Sequence, residues 1–374
     1  MRLVELAHVL RSAGPAYRRR FGERMLPSHR RALSDIVGCR TSALGGSIYD
    51  CTDCGVRHYA YHSCRNRHCP TCQADRAQAW LDRTRARLLP CDHYLLTFTL
   101  PSELRALARA HQKIVYDVLL REAAASLQIL ARDPQWVGGR PGILAVLHTW
   151  SRSLAYHPHA HLLVTAGGLS PDGSAWVKPA HPRFLVPGYA LSSLFRGRVR
   201  AALVRAGLAS QARPDVWTKR WNVHVKRIGN GQHAALYLSR YVYRVALTND
   251  SIQSFDGGRV TFRYLDARSR EARRMTLPAA DFIARFLQHI LPKGLAKVRS
   301  YGLLSPGLRP DLERARALLE AQATADHPFS EFHEPSLEAL PIQPDLPDAP
   351  RFCPACKTGR LVFVGLLERP RAPP

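Results

Sequence analysis

Apolar runs and helical periodicities alternate along the middle of this chain. Tyr94-Leu-Leu-Thr-Phe-Thr-Leu100 predicts a strand that Pro101 ends. Leu104, Leu107, Ala110, Ile114, Leu119 and Leu120 then recur at helical spacing, so residues 103–132 read as helix. Gly142 to His148 reads as a buried strand, and His159 to Ala166 as a second, ended by Gly167-Gly168. Ser151 to Pro158 can turn the chain between them, which makes the two strands expected antiparallel neighbours. Trp221 to Lys226 predicts a further strand, Gly229-Asn-Gly231 a turn, and residues 232–246 a helix. Val260 to Tyr264 reads as a short strand and Pro278 to His289 as a helix. The fold class is α+β. Residues 1–38 read as basic helices, 39–90 as a cysteine-rich module, 91–305 as the mixed region, and 306–374 as a tail. Within the tail, Pro, Asp and Glu crowd residues 322–350, a loose linker to Cys353-Pro-Ala-Cys356.

Charge narrows the function. The 374 residues carry a formal net charge of +25, mostly from Arg, in runs such as Arg18-Arg19-Arg20 and Arg268 to Arg274. Such a field attracts a polyanion, and nucleic acid is the leading partner. Arg over Lys also suits forked phosphate contacts and stacking on unpaired bases. No apolar run approaches the roughly 20 residues that span a bilayer, and Met1-Arg-Leu-Val-Glu5 lacks a signal peptide's apolar core. A cytoplasmic protein without membrane contact is expected.

Six of the nine cysteines fall between residues 39 and 90. Cys51-x2-Cys54 and Cys69-x2-Cys72 are two knuckles that can deliver four thiolates to one tetrahedral structural Zn2+. Cys39, His58, His62, Cys64 and His68 are surplus donors. Of these, Cys64 and His68 lie in the intervening loop, where they could replace a ligand or make a second site. Arg65 and Arg67 stand in that loop too and are expected to face DNA. Cys353-x2-Cys356 is half a site, to be closed by His327 or His333, by ligands from the other end of the chain, or left empty. Cys91 reads as a buried thiol.

In a strand, residues i and i+2 share a face, so His159 and His161 present two imidazoles together with Ala160 turned to the core. His157 has the same parity but is expected in the turn. His148 on the neighbouring strand is the favoured third ligand, with Gln232 as competitor. An ion that polarises a phosphate must keep open positions, which points to Mg2+ or Mn2+. Tyr237 and Tyr241 lie one helical turn apart, beside Arg240 and Arg244. Lys226 supplies another cation for DNA or for a phenolate. A His pair on a strand and a Tyr pair on a helix are each more often structural; only their company suggests chemistry.

That combination resembles the two-tyrosine HUH transposases of the insertion-sequence ninety-one family, relatives of common-region elements and Helitrons. The marks, in order, are Ser63-Cys-Arg-Asn-Arg-His-Cys-Pro-x-Cys-Gln73, Phe98-Thr-Leu-Pro101, Val146-Leu-His-Thr-Trp150, His157-Pro-His-Ala-His161 with Gly167-Gly-Leu-Ser170, Tyr237-Leu-Ser-Arg-Tyr241, and Leu291-Pro-Lys-Gly294 with Tyr301-Gly-Leu-Leu304. The resemblance implies a central antiparallel sheet flanked by helices behind an N-terminal zinc module. It implies that His159 and His161 bind the catalytic metal and that Tyr237 and Tyr241 are the nucleophiles. The activity implied is nicking and rejoining single-stranded DNA at element ends and target site through 5′-phosphotyrosine, in a bacterial, nucleoid-associated protein. The alternatives are a plasmid replication initiator or relaxase with the same chemistry, and a non-catalytic zinc DNA-binding protein.

Overall fold

The computed structural model describes residues 4–181, 184–230, 247–266, 269, 271–326 and 352–370, with the side chains at 73–79, 230 and 324–326 outside that description. The N-terminal segment forms two helices, α1 (Leu6–Phe21) and α2 (Pro27–Gly38). Next come a hairpin of β1 (Gly46–Cys51) and β2 (Arg57–Tyr61), and helix α3 (Pro70–Arg87). Strand β3 (Asp92–Thr99) leads to α4 (Arg105–Ala110) and α5 (Gln112–Arg132). The expected continuous helix is thus broken at His111, whose φ −122° and ψ 48° leave the helical region.

Strands β4 (Gly142–Trp150) and β5 (Tyr156–Thr165) pair antiparallel as expected. The strand starts earlier than the sequence suggests, so His157 and Pro158 lie in β5 and not in the turn. A short ladder of β6 (Gly168–Leu169) and β7 (Trp176–Val177) follows, then α6 (Gly188–Arg205) and β8 (Val223–Asn230). Gly229, at φ 70°, lies within β8 and does not end it. The helix expected over 232–246 falls outside the described residues. Beyond it, β9 (Ile252–Asp256), β10 (Arg259–Leu265) and β11 (Ala272–Pro278) form a separate sheet capped by α7 (Ala279–Leu287). Strand β12 (Val298–Gly302), helix α8 (Arg309–Asp326) and strand β13 (Leu361–Leu367) complete the described chain.

The central sheet runs β12-β4-β5-β3-β8, every neighbour antiparallel. Because side chains alternate along each strand, its register divides the sheet into two faces. Leu147, Ala160 and Phe98 share one row and Ala145, Leu162 and Leu96 the next. These pack with Tyr116, Leu119, Leu120, Phe195 and Val199 of α5 and α6 into the main core. Burying each such aliphatic side chain is worth about 1.5–3 kcal/mol. On the opposite face, Leu144, Val146 and Leu163 pack under Leu81 of α3, Leu88 just after it, and Leu304. The same face carries the row His148, His159 and Thr99 and the row Val146, His161, Thr97 and His224. Lys226 has this parity as well, opposite Leu95.

The basic N-terminus is not a detached arm. Leu6, Val9 and Leu10 of α1 and Leu33 and Ile36 of α2 share a buried cluster with Phe262, Phe282, Ile283 and Phe286. The Leu6 amide donates to Asn249 Oδ1 at 3.1 Å. Among the described residues no helix is long and apolar enough to cross a membrane.

Candidate metal centres

The strand register alone brings His148 opposite His159, with His161 one pair further along. Their candidate ligand nitrogens all lie within 4.8 Å of one another. His148 and His161 are buried and His159 is half-buried. Two of the rings are oriented from behind. His159 Nδ1 donates to the His157 carbonyl at 2.7 Å, which leaves Nε2 for a metal. His161 Nδ1 pairs with Thr97 Oγ1 at 3.0 Å. Such outer partners fix tautomer and direction. Burial holds His159 down to about 4 and His161 to about 3, and pushes His148 well below its ordinary value. All three are therefore neutral near pH 7, the form that ligates. The donor set fits a divalent cation. His157, in contrast, takes a hydrogen bond from Arg105 Nη2 at 2.9 Å on Nδ1.

A lysine missed by the sequence reading lies beside this centre. Lys297 is held over the Trp150 ring at 4.7 Å, and that ring stacks on His148 at 5.1 Å between centroids. Its charge helps to lower His148, and burial lowers Lys297 itself to about 7. The signal available was only its place just before a strand; nothing in the spacing linked it to the histidines. Tyr237, Tyr241, Arg240, Arg244 and Gln232 lie outside the described residues.

The thiols do not assemble as one site. Cys51, Cys54, Cys69 and Cys72 are divided between two clusters, each completed by cysteines that adjacent spacing did not pair with them. The first is Cys39, Cys64, Cys69 and Cys72, with ligand atoms within 4.8 Å of one another. Cys39 follows α2, Cys64 comes from the loop, and Cys69 and Cys72 sit at the start of α3. Sulfur separations are 3.3 Å for Cys39–Cys72, 3.6 Å for Cys64–Cys72 and 3.7 Å for Cys69–Cys39. Tetrahedral zinc with Zn–S near 2.3 Å requires about 3.8 Å. The crowding splits the protons. A hydrogen bond from Cys64 draws Cys69 down to about 5, while burial pushes Cys39 up to about 12. Four thiols so placed need a cation to lose all their protons. The second cluster is Cys51, Cys54, Cys353 and Cys356.

His68 is excluded as a zinc ligand by its bonds. Its Nε2 accepts from the Leu291 amide at 3.1 Å and its Nδ1 faces Asn66 Oδ1 at 3.2 Å. Arg67 is likewise spent inside the protein. Its guanidinium donates to the carbonyls of Leu295, Leu291 and Pro292 at 2.7, 3.1 and 2.6 Å, so it fastens a turn and does not face DNA. Arg65 remains exposed, at φ 51°, and Lys226 is exposed on β8. Cys91 is half-buried, its thiol pushed up to about 12 by desolvation.

A basic chain with a thiol-rich N-terminal module ahead of a sheet bearing three convergent imidazoles has the parts of a DNA-processing transposase. Residues 9–100 match the family described as "Transposase zinc-binding domain", and residues 142–311 the family described as "Putative transposase". The chain is 34% identical over 392 residues to "Putative transposase y4qJ" of Sinorhizobium fredii, covering 99% of this chain and 97% of that one. It is 30% identical over 294 residues to "Transposase for insertion sequence element IS801" of Pseudomonas savastanoi pv. phaseolicola, covering 73% of this chain and 69% of that relative. No solved structure matches the chain. It belongs to the insertion-sequence ninety-one family of transposases, with DNA as its partner and a domain of the zinc-binding type.

Proposed function

We propose that this transposase nicks and rejoins single-stranded DNA at the ends of its insertion sequence, by rolling-circle transposition through 5′-phosphotyrosine. The observation that carries the reading is the convergence of His148, His159 and His161 on one sheet face, all three neutral and the last two directed from behind. A divalent cation held there would polarise a scissile phosphate. Tyr237 and Tyr241 are the nucleophiles. A tyrosyl O–P bond forms as the P–O3′ bond breaks, and the phenol proton ends on the departing 3′ oxygen. The bond energy is kept, so rejoining is the reverse attack by a 3′-OH.

On β8, His224 lies in the His161 row and Lys226 has the same parity. In this reading Lys226, Arg240 and Arg244 contact the DNA, and Lys297, held over Trp150 beside His148, serves the phosphate.

The ion is Mg2+ or Mn2+, and three imidazoles without a carboxylate favour Mn2+ of the two. Structural Zn2+ belongs on Cys39, Cys64, Cys69 and Cys72, and residues 91–305 form the catalytic unit. Cleavage of an element-end oligonucleotide should be several-fold faster in Mn2+ than in Mg2+ and absent in His159→Ala and His161→Ala. Metal-independent cleavage by either variant would defeat the reading.

A further inference from the structure

The second thiol cluster joins the two ends of the chain. Cys51 Sγ lies 3.6 Å from Cys356 Sγ, and Cys54 Sγ 3.7 Å from Cys353 Sγ, across 305 and 299 residues of sequence. These separations are far too long for disulfides and close to the ~3.8 Å edge of a zinc–thiolate tetrahedron. All four cysteines are free, and their sulfurs lie within 4.8 Å of one another.

The backbone around them is built as two copies of one turn. After Cys54, the Gly55 amide donates to the Cys51 carbonyl at 3.1 Å with Gly55 at φ 67°. After Cys356, the Lys357 amide donates to the Cys353 carbonyl at 2.8 Å with Lys357 at φ 64°. A non-glycine residue in that conformation is uncommon and strained. The Gly359 amide points at Cys356 Sγ at 3.3 Å. Gly359 also approaches the opposite knuckle so closely that a Cβ there would lie 2.4 Å from Cys51 Sγ. Outside the cluster, His58 Nε2 reaches Cys353 Sγ at 3.2 Å. Thr52 and Arg360 exchange two hydrogen bonds at 3.0 Å.

Strand β13 then pairs with β1 from Gly46↔Leu367 to Cys51↔Leu361. Apolar burial does not hold it there. Val362, Phe363, Val364 and Leu366 are all more than half exposed, and among the described residues none from 352 to 370 belongs to an apolar cluster. A three-stranded sheet without a buried face is marginal on its own.

We propose that Cys51, Cys54, Cys353 and Cys356 bind a second structural Zn2+, and that this ion fastens the C-terminal segment to the N-terminal module. Each knuckle contributes two thiolates and releases their protons on binding. Only half of this site falls within the matched zinc-binding region, which ends at residue 100. The inference stands independently of the nickase reading.

The test has two arms. Elemental analysis of the full chain should show one zinc equivalent fewer in Cys353→Ser/Cys356→Ser than in wild type. In the wild-type protein, Cys54 is solvent-exposed and so accessible to iodoacetamide if it held no metal. Mass spectrometry should instead find Cys54 and Cys356 protected, becoming reactive when a chelator is added, together with loss of amide-exchange protection over 361–367. Equal zinc in variant and wild type overturns the proposal. So does alkylation of Cys54 and Cys356 at the same rate with and without chelator, a readout that needs no variant to fold.

Discussion

At the scale of single residues, the proposed catalytic centre is set by what stands behind the imidazoles. Thr97 Oγ1 faces His161 Nδ1 at 3.0 Å, so Thr97→Val removes the partner that fixes that ring while leaving the three ligands in place. Mn2+ affinity should fall about 10–100-fold, read by titration with protein stability unchanged; an unchanged affinity would show that the ring is directed otherwise. Buried histidines away from the centre have a different consequence. His93 donates from Nδ1 to the Cys91 carbonyl, and His289 is held between Thr149 and the Leu154 carbonyl. Burial lowers both from 6.5 to about 4. The unfolded chain therefore takes up these protons first as pH falls. Their contribution is complete above pH 6.5 and is lost progressively towards about 4. Thermal unfolding should move to lower temperature between pH 7 and pH 5, and a flat profile there would contradict the burial argument.

At the scale of elements, legibility followed sequence distance. The β4–β5 hairpin and its alternating histidines could be read because one strand pair places all three, as His148↔His159 shows. The thiol clusters were legible only in part. Cys51-x2-Cys54 and Cys69-x2-Cys72 look like one site by spacing, but β1, β2 and β13 send the first knuckle to the C-terminus while α2 and α3 hold the second. Ligand sharing between elements so far apart leaves no local trace. Helix α6 has a legible pattern as well: Leu191, Phe195, Val199 and Leu203 keep helical spacing, although Arg196, Arg198 and Arg200 interrupt it with charge. Arg67 shows the reverse error, a cation among ligands that looks like a DNA contact yet fastens the 291–295 turn. Arg67→Ala should cost about 2–3 kcal/mol of stability by denaturant unfolding, since hydrogen bonds to a charged group are among the stronger ones. Its effect on DNA affinity should be small once folded protein is compared; a large loss of affinity at unchanged stability would restore the contact role.

At the scale of the whole molecule, the chain carries a net charge of +25, and its basic N-terminal helices pack against Phe262, Phe282, Ile283 and Phe286 instead of standing apart as a tail. Binding to DNA should be dominated by phosphate contacts and counterion release. Affinity for a single-stranded oligonucleotide should drop about a hundredfold or more between 50 and 200 mM salt, and a salt-independent affinity would mean that the charge serves another partner.

The central claim is the phosphotyrosine bond, and a covalent-adduct assay tests it most directly. Purified protein is mixed with labelled single-stranded DNA from its own element's ends, with Mn2+ or with EDTA, and run on a denaturing gel. A Mn2+-dependent shifted band is predicted, weakened in Tyr237→Phe and in Tyr241→Phe and lost only in the double variant. A band of equal intensity in the double variant, or none in wild type that still binds the same DNA, would contradict the account.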